Sequence, residues 1–178
     1  MNQIHVRKTH IAAISLLGVM VCSAADVRIY QAKDIDFSVY RTYQWLPTRV
    51  LSKAGIVEDD PKVGAVLRRV INEHLIKHGL TEANAPADLQ VSVVGLREAS
   101  AQLEAIFFSS FPGADWGTEP IATLGRYNFE GAVGVNLIDT KTKKTAWAGV
   151  SRKGIKRSGA DAGDVEKATA NLFKKFPK

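Results

Sequence analysis

Between Gly131 and Ser151 apolar side chains recur at every second position on both sides of a polar stretch, Asp139 to Lys144. That stretch holds no proline and can close a tight turn, so the segment predicts an antiparallel hairpin. With an even number of residues in the loop, Val133, Val135 and Leu137 lie opposite Val150, Ala148 and Ala146. One face then carries no polar side chain and must be covered by another layer. Trp147 falls opposite Asn136 on the other face, beside Gly134 and Gly149, where its ring can lie over backbone that bears no side chain.

The same two-residue period recurs earlier. Val27 and Ile29 alternate with charged residues, and Asp36 to Pro47 continues the extended run. In it Phe37, Val39, Tyr43 and Trp45 share one face, interrupted by Arg41, while Ser38, Tyr40, Thr42 and Gln44 share the other. Pro47 ends this strand, and Thr48 to Asp60 reads as a loop. Asp88 to Leu96 predicts a further strand. From Glu98 to Asn128 the period dissolves, leaving room for a short helix near Ala99 to Phe108.

Two stretches change to a helical period. Asp60 and Pro61 form a start signal, an acidic cap before a proline whose missing N–H costs nothing in the first turn. Val66, Leu67, Val70, Ile71 and Leu75 then make one stripe, with Arg68, Arg69, Asn72, Glu73 and Lys77 opposite. Gly79 stops the helix in a left-handed conformation, and Leu80 follows as its apolar contact. The last helix is predicted over Asp164 to Phe176, with acids at its start and lysines at its end, as the helix dipole favours. The order β-α-β-(loop)-β-β-α predicts an α+β two-layer sandwich, with a mixed or antiparallel sheet of about four to five strands and two helices on one face. If the first two strands are parallel, their crossover is right-handed.

Composition places this body outside the cytosol. Of 178 residues, the first 25 read as a signal peptide: Arg7 and Lys8, the apolar Ile11 to Val21, then Ser23, Ala24 and Ala25. The remainder, 26–178, is the length of one domain. Cleavage discards Cys22, the only cysteine. Its place after the apolar run also fits a lipid-attachment site, against which Val21 argues, because that position takes a small residue. From Asp26 to Thr140 there are 11 basic and 15 acidic side chains, whereas Lys141 to Lys178 has 11 basic and 3 acidic. This last segment, 141–178, is therefore a cationic surface suited to anionic lipid, lipopolysaccharide or an acidic partner in the envelope, or else a solubilising face.

Reactive chemistry is sparse. His74 and His78 sit four residues apart on the first helix, a spacing that can hold zinc, but Leu75 stands where a zincin has glutamate and no cysteine completes a site. Both fall within the apolar stripe, which favours packed structural histidines. No nucleophile elbow, phosphate loop or dinucleotide fingerprint is present, and the acid pairs Asp34 with Asp36 and Asp59 with Asp60 read as caps or solvated charges. No cofactor is expected, and export argues against nucleic acid. The segment Phe107 to Trp116 is harder to read as scaffold: its rings either form an exposed adhesive patch or fold back over the open face of the sheet, where Trp147 needs company.

DFSVYRTYQWLP, followed by DP and a helix ending in HGL, then ADLQVSV, GAVGVNLIDTKTKKTAWAG and a closing helix ending in FP, resembles domain-of-unknown-function family 4136, a group of bacterial exported proteins and lipoproteins. The sharpest marks are Asp36, Phe37, Tyr40, Tyr43 and Trp45, and the hairpin from Asp139 to Trp147, where Lys144 and Trp147 match. The resemblance implies the fold and an envelope location, and no catalytic role for any residue. The expectation is a non-enzymatic envelope protein that binds a protein partner or a membrane surface. Lys141, Lys143, Lys144, Arg152, Lys153, Lys156 and Arg157 supply attraction, and Phe107, Phe108, Phe111 and Trp116 apolar contact. The rival expectations are a carrier of a small apolar ligand or lipid, with a pocket between the aromatic segment and the sheet, and a metal-dependent hydrolase using His74 and His78.

Overall fold

The computed structural model of the protein describes residues 27–58, 61–97, 100–116, 131–151 and 162–177. In chain order the elements are β1 (Val27–Gln31), β2 (Thr42–Trp45), β3 (Arg49–Ser52), β4 (Gly55–Glu58), α1 (Pro61–Lys77), β5 (Thr81–Glu82), β6 (Leu89–Leu96), α2 (Ala101–Ser109), β7 (Ala132–Asp139), β8 (Thr145–Ser151) and α3 (Ala162–Phe173). One open, mixed sheet runs in the order β1-β8-β7-β6-β2-β5. Its long central pairs, β8 with β7 and β7 with β6, are antiparallel, while β2 runs parallel to β6. The chain thus has the expected mixed α and β character with a strand–helix–strand crossover, but the sheet holds eight strands where four to five were expected.

The three additional strands are short. Thr48 to Asp60, expected as a loop, contains the β3–β4 hairpin, turned by Gly55 at φ +124°. β3 continues along the same edge of β6 that β2 occupies, pairing Arg49 with Val94 where Tyr43 pairs with Leu89. Pro47 does end β2, and the chain then re-enters the sheet. Each extra strand has at most two adjacent apolar residues, too few to show a period.

The hairpin forms where expected, with its register displaced by one residue. Val133 faces Ser151, Val135 faces Gly149 and Leu137 faces Trp147. The turn itself keeps the expected even register, with Ile138 facing Thr145 and the Asp139 amide bonded to the Lys144 carbonyl, and a one-residue bulge at Ala146 then displaces the rest of β8. Because side chains alternate with period two, one residue of slip moves every side chain of β8 beyond the bulge to the opposite face. Trp147 therefore joins Val133, Val135 and Leu137, whereas Ala148 and Val150 lie on the other face with Gly134 and Asn136.

Helices α1 and α3 cover the Trp147 face. Leu67, Val70, Ile71 and Leu75 of α1 and Val165, Ala168, Leu172 and Phe173 of α3 are buried there. Gly79 adopts φ +83° past the end of α1, and the Leu80 amide bonds the Leu75 carbonyl, closing the helix as its sequence predicts. Trp147 is fully buried between Phe173 and Phe176, with ring centroids at 5.4 and 5.0 Å. The opposite face is covered by α2 and the residues after it, so the sheet is enclosed on both sides and the two-layer expectation becomes three layers.

Asp36 to Pro47 is only half extended. Phe37–Val39 forms a single 3₁₀ turn, capped by the Asp36 carboxylate, which accepts from the Ser38 amide. The turn shifts the phase of the run. Val39, expected to share a face with Tyr43, is 64% exposed where Tyr43 is fully buried, and Tyr40, expected on the opposite face, is buried with Tyr43.

Candidate functional site

The hairpin turn is the most tightly fixed of the segments that carry expected site residues. Asp139 is placed at the end of β7, where its carboxylate turns back over its own loop. Its Oδ1 accepts from the Lys141 amide at 2.9 Å, the Thr142 amide at 2.6 Å and the Thr142 hydroxyl at 3.0 Å, while Oδ2 accepts from the Tyr40 hydroxyl at 2.7 Å. The Lys143 amide bonds the Asp139 carbonyl at 2.9 Å, and Lys143 itself sits at φ +59°. A lysine gains nothing locally from that left-handed conformation; the surrounding bonds hold it there. Burial pushes the Asp139 carboxyl up, but the bonds from Thr142, Tyr40 and Lys141 outweigh it and leave its pKa lowered. Tyr40 is raised, first by burial and then by the bond to that carboxylate.

The main chain of a second aspartate braces the turn from the side, while its carboxylate holds the start of β2. The Thr140 amide and hydroxyl bond the Asp88 carbonyl, and the Asp88 side chain accepts from the amides of Arg41 and Thr42 and from the Thr42 hydroxyl. Those backbone bonds lower its pKa. Lys141, Lys143 and Lys144 all project from this braced turn into solvent. The structure thereby joins two sets of residues that the sequence left separate: Tyr40 in the aromatic run and Asp139 in the hairpin are one contact.

The aromatic segment does the opposite of presenting itself. Phe107 and Phe111 are 1% and 3% exposed and lie over Gly134, where an added Cβ would stand 2.5 Å from Phe111 Cζ and 2.8 Å from Phe107 Cζ. Phe108 and Trp116 are half-buried against the same cluster, with Trp116 5.4 Å from Phe111. The Asn136 amide bonds the Ser110 carbonyl and ties the segment to the sheet. Phe107 and Phe111 thus take the second of the two expected arrangements, folded back over the sheet, while Phe108 and Trp116 keep part of their surface exposed. The companion the segment finds is Gly134; Trp147 lies on the far side of the sheet.

His74 stacks on Phe173, with ring centroids 4.8 Å apart and planes 3° from parallel, and His78 packs on Phe176 at 4.7 Å. Burial, then neighbouring positive charge, lowers the pKa of both. Among the described residues no group of three His, Cys, Asp or Glu side chains could hold a metal. Asn72, expected on the outer face of α1, instead accepts from the Tyr43 hydroxyl and the Trp45 indole N–H, both at 3.0 Å, and donates to Glu82. Arg68 lies over Trp45 at 4.5 Å. Tyr43 is pushed up to about 12, mainly by burial. These contacts lock α1 to β2 and β5.

Cys22, Arg152, Lys153, Lys156 and Arg157 lie outside the described residues, as does the leader. Sequence reasoning also passed over a groove between the end of β1, Gly113 and the hairpin turn. Its walls come from three separated segments, so no local pattern marks it. The one available signal was Asp139 followed by threonine three residues on, a side-chain-to-backbone turn pattern.

A protein of this fold from Bacteroides thetaiotaomicron VPI-5482, described as a DUF4136 family protein, aligns with 84% of this chain and 94% of its own at 14% identity, with a TM-score of 0.59. A PDZ domain protein from Parabacteroides distasonis ATCC 8503 aligns over 86% of this chain at 16% identity and a TM-score of 0.53, and this chain spans 36% of that one. At these identities the likeness is one of fold. No functionally curated protein matches the chain. The sequence pattern of the family, whose domain is of unknown function, matches residues 27–178, and the chain belongs to the DUF4136 family.

Proposed function

We propose that the protein is an exported, non-enzymatic binding protein of the bacterial envelope whose lysine turn holds an anionic partner. The observation that carries this is the braced turn: three exposed lysines stand on a main chain fixed by Asp139 and Asp88, with Lys143 held at φ +59°. Cations on a rigid frame lose less conformational entropy on binding than cations on a mobile loop. Residues 1–25 support export, and Arg152, Lys153, Lys156 and Arg157, close behind β8 in sequence, extend the cationic segment. With Phe107 and Phe111 packed inward, the contact is electrostatic, so it weakens steeply with salt. No helix among the described residues is long and apolar enough to cross a membrane.

Retention on immobilised polyphosphate across a salt gradient tests this reading. Replacing Lys141, Lys143 and Lys144 with glutamine is expected to weaken retention about tenfold, roughly 0.5 kcal/mol for each lysine, and to leave the unfolding midpoint unchanged. Equal retention of the variant and the parent rejects the lysine turn as the binding surface.

A further inference from the structure

We propose that the groove beside the lysine turn binds an acidic saccharide; this rests on reading the turn as an anion-holding surface, and it names the ligand class. The groove has a volume of about 670 Å³, within the range of about 300–1,000 Å³ that small-ligand sites span. Residues 29–35 form one wall, Gly113 and Asp115 a second, and Thr142, Lys144 and Thr145 the third.

The walls are tied together before any ligand arrives. The Ala32 amide bonds the Ala146 carbonyl at 3.0 Å, the Tyr30 hydroxyl bonds the Gly113 carbonyl at 3.1 Å, and the Thr145 amide bonds the Pro112 carbonyl at 2.8 Å. Gly113, at φ +75°, lies against the aliphatic stem of Lys144. Such a site needs little ordering to receive a ligand.

The chemistry of the walls selects among ligands. A lipid chain would stay wet in an open groove edged by Gln31, Lys33, Asp34 and Lys144. A phosphate would meet the carboxylates of Asp34 and Asp115 along with the lysines, and phosphate oxygens have nothing to donate to a carboxylate. Sugar hydroxyls both donate and accept, so they can serve carboxylate, amide and ammonium together. The side chains of Gln31, Lys33, Asp34 and Lys144 have no hydrogen-bond partner among the described residues, and Ile29, Ala32 and Ile35 offer apolar surface to the C–H face of a sugar ring. Lys33 and Lys144 in the wall, with Lys141 and Lys143 on the same turn, outnumber the two aspartates, so a sugar that carries carboxylate is favoured over a neutral one.

Titration of the ¹⁵N-labelled protein with a tetrasaccharide of alternating glucuronate and N-acetylglucosamine tests this, with cellotetraose and polyphosphate as comparisons. Saturable shifts are expected at the amides of Lys33, Asp34, Thr142 and Lys144, with cellotetraose about tenfold weaker, the equivalent of roughly one charge-assisted contact. The double variant Gln31→Ala with Asp34→Ala should weaken the acidic tetrasaccharide at least about fivefold and leave polyphosphate retention unchanged. No saturable shift at those amides, or equal binding by the double variant, overturns the saccharide site while the anion-holding turn stands. Loss of polyphosphate retention by the parent protein itself removes both.

Discussion

The two faces of the central sheet are closed by different means. On one, α1 and α3 lay stripes of medium-sized side chains, Leu67, Ile71, Leu75, Ala168 and Leu172, over β6, β7 and β8, and Trp147 is held between Phe173 and Phe176. On the other, a nine-residue helix and the turn after it press Phe107 and Phe111 onto backbone that has no side chain at Gly134. The helical face spreads its contacts over many positions. The aromatic face concentrates them, because ring and glycine fit only as a pair. A missing side chain is as much a packing feature there as the rings that use its space.

The largest test removes the central ring of the helical face. Trp147→Ala should cost about 3–5 kcal/mol in urea unfolding, as for other fully buried aromatic side chains. A loss below about 1 kcal/mol contradicts the register that places Trp147 between the helices.

Substitution of Gly134 under the rings and of Gly64 on α1 should differ in sign. Gly134→Ala forces its Cβ into two rings and should destabilise by about 1–3 kcal/mol. Adding Phe111→Leu should recover part of that loss, since the two sites share one space. Gly64→Ala on α1 meets nothing within 4 Å and should stabilise by about 0.5–1 kcal/mol through helix propensity. Two changes of the same sign undo the contrast.

The turn that links the strands offers a test of intermediate size. Tyr40→Phe removes the hydroxyl bonded to Asp139 and should cost about 1–3 kcal/mol, because the acceptor is charged. Tyr40 and Tyr43 have folded pKa values raised above the unfolded tyrosine value, so their contribution is complete below about pH 10 and is lost as pH rises beyond it. Asp88 and Asp139 have lowered pKa values, so theirs is present above about pH 4 and is lost as pH falls further. Guanidinium midpoints across pH should show both edges, with the alkaline one reduced in Tyr40→Phe.

The smallest expected effect returns to the helical face. His74 and His78 are lowered by burial against Phe173 and Phe176, so stability should decline slightly as pH falls from about 6.5. His74→Leu should flatten that decline. An unchanged slope indicates that the stacked ring accepts its charge without loss.

Much of this was legible in local patterns. Pro61 and Gly79 bracket α1, and β1, β2, β6, β7 and β8 lie where apolar residues alternate. Val39 and Tyr40 were misassigned because alternation assumes an unbroken strand, and the Asp36 cap inserts a turn that resets the phase. The burial of Phe107 and Phe111 was left open for another reason: ring composition marks a segment as adhesive without saying whether its partner is the same chain. The lysine turn was visible as charge, while its bracing by Tyr40 and Asp88 was not, since those residues are 99 and 52 positions from their contacts.

Taken alone, the sequence determined which segments are helix and which are long strand, because propensity, capping and hydrophobic period act among near neighbours. Only the tertiary structure decided which face each strand residue occupies, which rings are hidden and where a groove opens. A period of two leaves the parity of a strand undetermined, and the single bulge at Ala146 chose it here.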